Sequence, residues 1–271
     1  MHPFIHLFGK DIPTYSAMML VAALLSSLLL FLRRKRYDIA TDDTLYLVLF
    51  CVIGAIVGGK LLSIITIIPT LVAAWESIDN HLSVIYELFA GSGLVFYGGF
   101  IGAIGMAVIY TRKYKVSLLT ASDYFAPAIG LAHGIGRIGC FLAGCCYGIP
   151  HEHGIAFTHS LGAPNGIKLL PIQLIESGLC LLLCAVMLIL ERFKFYRGRG
   201  LAIYILMYAP IRFTLEFFRG DLVRGVVQGI STSQVISILL FISAVLFIVI
   251  SSKRRKPSDC ALTGIDTEAS S

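Results

Sequence analysis

Apolar runs of roughly 20 residues recur along the chain, separated by short polar segments. They cover Tyr15–Leu32, Leu45–Ile68, Leu94–Tyr110, Ala121–Ala143, Pro171–Leu190, Leu201–Phe218 and Thr232–Ser251. A helix of about 20 residues, rising about 1.5 Å per residue, crosses the hydrocarbon core of a bilayer. The pattern therefore predicts an all-α membrane protein with seven transmembrane helices.

The polar segments give this pattern a direction. Basic clusters follow the first, third, fifth and seventh runs, at Arg33–Arg36, Arg112–Lys115, Arg192–Arg199 and Lys253–Lys256, and hold 15 of the 22 Lys and Arg residues. Seven crossings put all four clusters on one side, which the positive-inside rule makes cytoplasmic. The N-terminus is then outside and residues 253–271 form a polar cytoplasmic tail. Pro69–Gly93, Gly144–Leu170 and Arg219–Ile230 face outward. In the first of these, the mixed polarity around Trp75 and Tyr86 suits either a periplasmic arm lying at the interface or an ordered loop.

Composition strengthens the membrane reading. The chain of 271 residues is 57% hydrophobic and 14% charged, against about 25% charged in soluble domains, and its mean hydropathy is +0.84. No polar linker divides it, so 1–271 reads as a single membrane domain. The net charge of +6 sits in the topogenic clusters, so no nucleic-acid partner is expected. The N-terminus lacks the basic region of a usual cleavable signal peptide.

Against this apolar background, "HGIGRIGCFLAGCCYG" (133–148) stands out. Its Gly134-x-Gly136-x-x-Gly139 formally matches a dinucleotide fingerprint, but that site needs a preceding strand, and these glycines lie in a membrane run. Gly54-x-x-x-Gly58, Gly98-x-x-x-Gly102 and Gly130-x-x-x-Gly134 are spaced for close helix packing.

Arg137 lies in the fourth run, where an arginine at mid-membrane costs at least ~2.5–3.5 kcal/mol and must face the bundle or a polar cavity. Arg212 has the same problem in the sixth run, with Glu216 at i+4 and Arg219 three residues further on. Arg137 has no obvious partner nearby in sequence, which points to an external anion. Two guanidinium groups from different runs suit a lipid phosphate, because guanidinium binds phosphate at two points and stays charged when desolvated. Tyr15, Tyr97, Gln173, Glu176, Ser231 and Gln234 are further polar residues suited to one chamber.

Cys140, Cys145 and Cys146 stand close to His133, His151, His153 and His159. The spacing Cys-x4-Cys-Cys is not a standard zinc pattern, so no metal and no cofactor is expected. A disulfide from Cys140 to Cys145 or Cys146 on the oxidising outer side is the competing reading. Cys180 and Cys184 read as small hydrophobes of the fifth run.

Taken together, "TYSAMMLV", "GSGLVFYGGFIGAIG", "HGIGRIGCFLAGCCYG", "LPIQLIES", "IRFTLEFFRGD" and "QGISTSQVISI" resemble the prolipoprotein diacylglyceryl transferase family, in its order and over most of the chain. The resemblance implies a bacterial inner-membrane enzyme, its site opening toward the outer face. It would move the diacylglyceryl group of phosphatidylglycerol onto the lipobox cysteine thiol of a prelipoprotein signal peptide, forming a thioether and releasing glycerol 1-phosphate. Membrane lipids are then its surroundings and one substrate. Arg137 takes the place of the family's phospholipid-binding arginine, and Arg212 that of its essential sixth-span arginine. Glu216 and Arg219 match the neighbours of Arg212, Tyr15 an aromatic of the first span, and Gly148 the closing glycine of the signature. Arg212, Tyr97 and Arg137 are the expected catalytic residues. Arg137, Tyr15, Cys140, Gly148, Gln173, Glu216 and Arg219 are the expected substrate-binding residues.

The chain departs from the family pattern where Tyr97-Gly98-Gly99 stands for His-Gly-Gly. It departs again where Cys140, Ala143 and Cys145 stand for two asparagines and a glutamate. A thiol has an ordinary pKa near ~8.5 and reacts as thiolate, so a strong arginine field is the expected substitute for the histidine. A paralogue with another acceptor, a membrane thiol–quinone oxidoreductase using the three cysteines, and a non-catalytic lipid-binding protein remain as alternatives.

Overall fold

A computed structural model describes residues 1–7, 9–74, 95–160, 162–221, 226–227 and 230–254. Among them are seven α-helices: α1 (Thr14–Arg33), α2 (Thr41–Ala74), α3 (Phe96–Lys113), α4 (Leu118–Ala143), α5 (Ile172–Leu190), α6 (Gly200–Glu216) and α7 (Thr232–Arg254). Three antiparallel two-stranded ribbons join them: β1 (Phe4–Leu7) with β2 (Lys10–Pro13), β3 (Pro150–Ala156) with β4 (Lys168–Leu169), and β5 (Val226–Val227) with β6 (Ile230–Ser231). Each apolar run holds one helix. Five of them, α1, α2, α4, α5 and α7, are long and apolar enough to cross a membrane. Leu24 and Leu239 on the first and last of these are each 61% exposed, an apolar surface that suits lipid rather than water. The stretch holding Trp75 and Tyr86, and the tail beyond residue 254, lie outside the described residues.

The chain forms two compact units, Leu30–Ala121 and Met1–Leu29 with Ser122–Ser271. Within the first, α2 and α3 meet through their glycines. A methyl group added at Gly102 would lie 2.1 Å from the Gly54 carbonyl oxygen, and one at Gly58 would lie 2.3 Å from that of Gly98. The two small-xxx-small faces therefore interlock backbone to backbone. Tyr110 donates to Asp43 at 2.6 Å across the same pair of helices.

Within the second unit, α4 is the common neighbour. Gly139 packs on Met18 and Tyr15 of α1, while Ser26 donates to the Ala128 carbonyl at 3.2 Å, so α1 runs antiparallel to α4. On another side, Gly130 faces Cys180 and Cys184, Gly134 faces Leu181, and Ser177 donates to the Gly134 carbonyl at 2.8 Å. The Asp123 carboxylate accepts the backbone N–H groups of Gly198 and Gly200 and so caps α6 from outside its own chain segment. Ala126, Leu183, Met187, Tyr196 and Tyr204 fill the core between α4, α5 and α6.

Ser231 and Gln234 serve the start of α7. The Ser231 hydroxyl accepts the Gln234 N–H at 3.2 Å, and the Gln234 side-chain oxygen accepts the Ser231 N–H at 3.0 Å. They form a capping box on α7, because the first helical N–H groups need acceptors.

The interlocked glycines generate a test. Gly58→Val should lower the stability of the detergent-purified protein by roughly 1–3 kcal/mol, the range for overpacking. Gly105→Ala should be neutral, since an added methyl group there meets nothing within 4 Å. Thermal unfolding checks both, and an unchanged midpoint for Gly58→Val contradicts the packing.

Candidate functional site

The site is built where α4 and α5 run close together. The Gly134–Ser177 contact sets the register; Arg137 lies about one turn beyond Gly134 on α4, and Glu176 directly precedes Ser177 on α5. Arg137 Nη2 donates to Glu176 Oε1 at 3.0 Å, and Nε lies 2.9 Å from Oε2. Glu176 is 2% exposed. Tyr208 of α6 donates to the same Oε1 at 2.8 Å, and His133 Nε2 lies 3.6 Å from it and 3.4 Å from the Tyr208 hydroxyl.

This corrects the reading of Arg137 as lacking a protein partner. Glu176 was assigned only to the chamber wall, yet it is the counter-ion. The physical reason is that a guanidinium buried among apolar helices is held at lowest cost by a carboxylate that meets it at two points.

Arg212, on α6, lies 2.6 Å from Glu216 Oε2 through Nη2, the expected i,i+4 pair, and the same nitrogen donates to Ser233 of α7 at 3.1 Å. Its Nη1 is buried and has no hydrogen-bond partner among the described residues. The charges of Arg137 and Arg212 both act on Glu176, so the two arginines belong to one electrostatic cluster.

Arg219 does not continue the Arg212–Glu216 face. α6 ends at Glu216, and Arg219 instead clasps Asp221 at 2.9 and 2.7 Å. The backbone beyond the helix is pinned as Ile149 N–H donates to the Phe218 carbonyl at 3.0 Å and Gly220 N–H to that of Tyr147 at 3.0 Å. Gly148 sits inside this crossing. A methyl group there would lie 2.5 Å from the Leu170 carbonyl oxygen and 3.0 Å from that of Phe218. Gly148 therefore fits as the residue that lets three backbone segments meet.

The cysteines complete the cluster. Cys140 lies in the last turn of α4, and the chain then reverses through Gly144 (φ 73°) and Cys146 (φ 58°), both left-handed. The Cys145 N–H donates to the Cys140 carbonyl at 3.0 Å, and the buried Gln173 amide donates to the Cys145 carbonyl at 2.7 Å. As a result the three sulfurs lie within 4.8 Å of one another. None of them is joined in a disulfide. Hydrogen bonds from Cys140 and Cys145, then the charges of Arg219 and Arg137, hold the Cys146 thiol below its ordinary pKa, while hydrogen bonds with Cys140 and Cys146 and then burial push Cys145 up. Tyr15, on α1, lies within electrostatic reach of all three cysteines and of Arg137.

Arg137, Arg212, Glu216, Cys140, Gln173 and Tyr15 thus fall in one unit, with Arg219 and Gly148 beside the cysteine loop. Tyr97 lies in the first turn of α3, in the other unit, and its side chain is outside the described residues. Two residues escaped the sequence reading of this cluster, His133 and Tyr208. Their signal was present, since each stands four residues before its arginine and shares its helical face.

These features define a helical membrane protein with a buried arginine–carboxylate cluster beside a three-cysteine loop. The family model described as prolipoprotein diacylglyceryl transferase matches residues 3–250. A phosphatidylglycerol–prolipoprotein diacylglyceryl transferase of Clostridium tetani (strain Massachusetts / E88) is 37% identical over 252 residues, covering 92% of this chain and 97% of its own. The second such transferase of Clostridium perfringens (strain 13 / Type A) is 36% identical over 244 residues, covering 89% and 91%. That of Clostridioides difficile (strain 630) is 30% identical over 252 residues, covering 92% and 95%. The chain belongs to the prolipoprotein diacylglyceryl transferase family, and with its five apolar helices it is a multi-pass membrane protein. The match favours group transfer over thiol–quinone redox chemistry.

Glu176→Ala should destabilise the protein by about 3–5 kcal/mol, because it leaves a buried guanidinium unpaired. Adding Arg137→Met to that variant should recover part of the loss. Unfolding of the two variants in detergent checks this, and equal stability of Glu176→Ala and the native chain would contradict the pairing.

Proposed function

We propose that the chain transfers the diacylglyceryl group of phosphatidylglycerol to the lipobox cysteine thiol of prelipoproteins, forming a thioether and releasing glycerol 1-phosphate. The observation that carries this reading is the pair of buried guanidinium groups, Arg137 on α4 and Arg212 on α6, each held by its own carboxylate, with Arg212 Nη1 left without a hydrogen-bond partner among the described residues. Glu176 uses its two oxygens on Arg137 and Tyr208. The arginines retain donors that Glu176 and Glu216 do not satisfy, the buried Arg212 Nη1 among them. A phosphodiester in the membrane supplies the acceptors. As the glyceryl C–O bond breaks, charge grows on the phosphate, and donors fixed in a poorly screened place stabilise that charge most.

In this reading Arg137 and Arg212 hold the phosphate. Glu176 and Glu216 fix the two guanidinium planes, and Tyr15 and Cys140 lie on the acceptor side. Gln173 and Gly148 hold the cysteine loop in shape, and Arg219 supplies charge beside it. Tyr97 stands at the family's histidine position in the sequence. The chain crosses the bacterial inner membrane seven times as one domain over 1–271. Its N-terminus and site lie on the outer face, where phosphatidylglycerol and the signal peptide meet. The basic clusters support this orientation.

Purified protein in phosphatidylglycerol vesicles with a lipobox peptide provides the assay. Arg137→Ala and Arg212→Ala should each lower transfer by about 100- to 1,000-fold, the loss expected for a donor that stabilises transition-state charge. Full activity in both rejects the mechanism. A membrane-impermeant label should reach a tag beside Met1 from the outer face and a tag at Lys115 only after the membrane is opened; the reverse result inverts the topology.

A further inference from the structure

The cysteine loop does more than the phosphate-holding arginines require. Three sulfur atoms converge from positions 140, 145 and 146, although their spacing matches no common metal pattern. The convergence is built rather than accidental. Left-handed backbone at Gly144 and Cys146 turns the chain back on α4, and Gln173 secures Cys145 from α5.

We propose that Cys140, Cys145 and Cys146 bind a zinc ion as three thiolates and present its fourth position to the thiol of the acceptor cysteine. The identity of that fourth ligand rests on the transferase reading; the three-thiolate site does not.

The dimensions fit. Zn–S bonds are about 2.3 Å, so thiolates around one zinc ion lie about 4 Å apart. The three sulfurs, all within 4.8 Å of one another, reach that arrangement by small side-chain movements. Thiolates select soft or borderline cations over magnesium and calcium. Zinc takes four ligands, and among the described residues no His, Asp or Glu joins the three sulfurs. Three protein ligands and an open position are the pattern of catalytic zinc, whereas structural zinc is closed by four. The open position has access, because Cys145 and Cys146 are partly exposed while Cys140 is buried.

The chemistry matches the acceptor's need. A coordinated thiol is deprotonated outright. The acceptor S–H releases its proton to solvent as its sulfur binds. A sulfur lone pair then forms the C–S bond to the glyceryl carbon while the C–O bond to phosphate breaks. The bonding pair leaves on the phosphate oxygen of glycerol 1-phosphate, and nothing is oxidised or reduced. A base at the position of Tyr97 is not needed for this step.

Cobalt(II) is the probe. The full-length protein, purified in detergent without oxygen and stripped by chelator, is titrated with cobalt and then with zinc. One cobalt per chain should bind with a thiolate-to-metal absorption band that zinc abolishes. Cys140→Ser, Cys145→Ser and Cys146→Ser should each weaken binding by about 100-fold, the upper end of losses seen even for outer-shell changes. A lipobox peptide should shift the cobalt spectrum, and the same peptide with its cysteine replaced by serine should leave it unchanged. Absence of a saturable band in the native protein overturns the site, whether or not the variants fold. A band indifferent to the cysteine peptide overturns the fourth-ligand role. Full transfer by zinc-free protein overturns thiol activation and leaves the transferase reading standing. A peptide-responsive band without lipid transfer by the zinc-loaded protein supports the site and removes the transferase reading instead.

Discussion

The ion pair between Arg137 and Glu176 is the constraint around which the α4–α6 region is arranged. A guanidinium in an apolar bundle cannot be left unanswered, and a carboxylate alone there is no better off. Each is tolerable only while the other is held within about 3 Å, so the helices that carry them must stay in one register. Gly130 and Gly134 allow α4 to approach α5 closely enough, and the Ser177 hydroxyl fastens the approach one residue from Glu176. Tyr208 brings α6 to the same oxygen atom. The cost of burying charge is thereby turned into specificity of packing.

The inventory of donors and acceptors shows that such a pair does not close on itself. An ionised carboxylate only accepts, and a guanidinium has five N–H donors. Glu176 is filled by Arg137 and Tyr208, and Glu216 meets Arg212. Two arginines matched to two carboxylates thus leave an excess of donors over acceptors. In the proposed reaction the phosphate group supplies the missing acceptors. The cluster is held in shape before any substrate arrives, which is the condition under which fixed dipoles and charges stabilise a transition state at no cost of reorganisation.

The legibility of these features in the sequence follows their range along the chain. Hydropathy located each of the seven α-helices because a long apolar run is visible without tertiary structure, and five of them are apolar enough to cross a membrane. The Arg212–Glu216 pair was legible because i,i+4 neighbours share a face without knowledge of tertiary structure. Arg137 and Glu176 stand 39 residues apart, and only the register of α4 against α5 joins them. Arg219 was misplaced because the face argument assumed a helix that in fact ends at Glu216. Ser231 and Gln234 carried a legible capping signature, Ser-x-x-Gln, that a search for buried polar groups overlooked. The convergence of the three sulfurs was not legible in the cysteine spacing, because left-handed backbone at Cys146 contracts the loop.

Gln173 and Glu176 show how the two halves of the cluster are kept together. They stand three residues apart near the start of α5 and so project from neighbouring positions of one face. Gln173 holds the Cys145 carbonyl, and Glu176 holds Arg137. α4 makes the same connection from the other side, since Arg137 and Cys140 are also three residues apart. Two helices in contact thus each carry one group for the charge cluster and one for the sulfur loop. In the proposed reaction the phosphate is held at one and the thiol at the other. The distance between leaving group and nucleophile is then set by helix packing rather than by a flexible loop. Fixing that distance before reaction is where most of the gain from proximity arises, because the entropy of bringing the groups together has already been lost on folding.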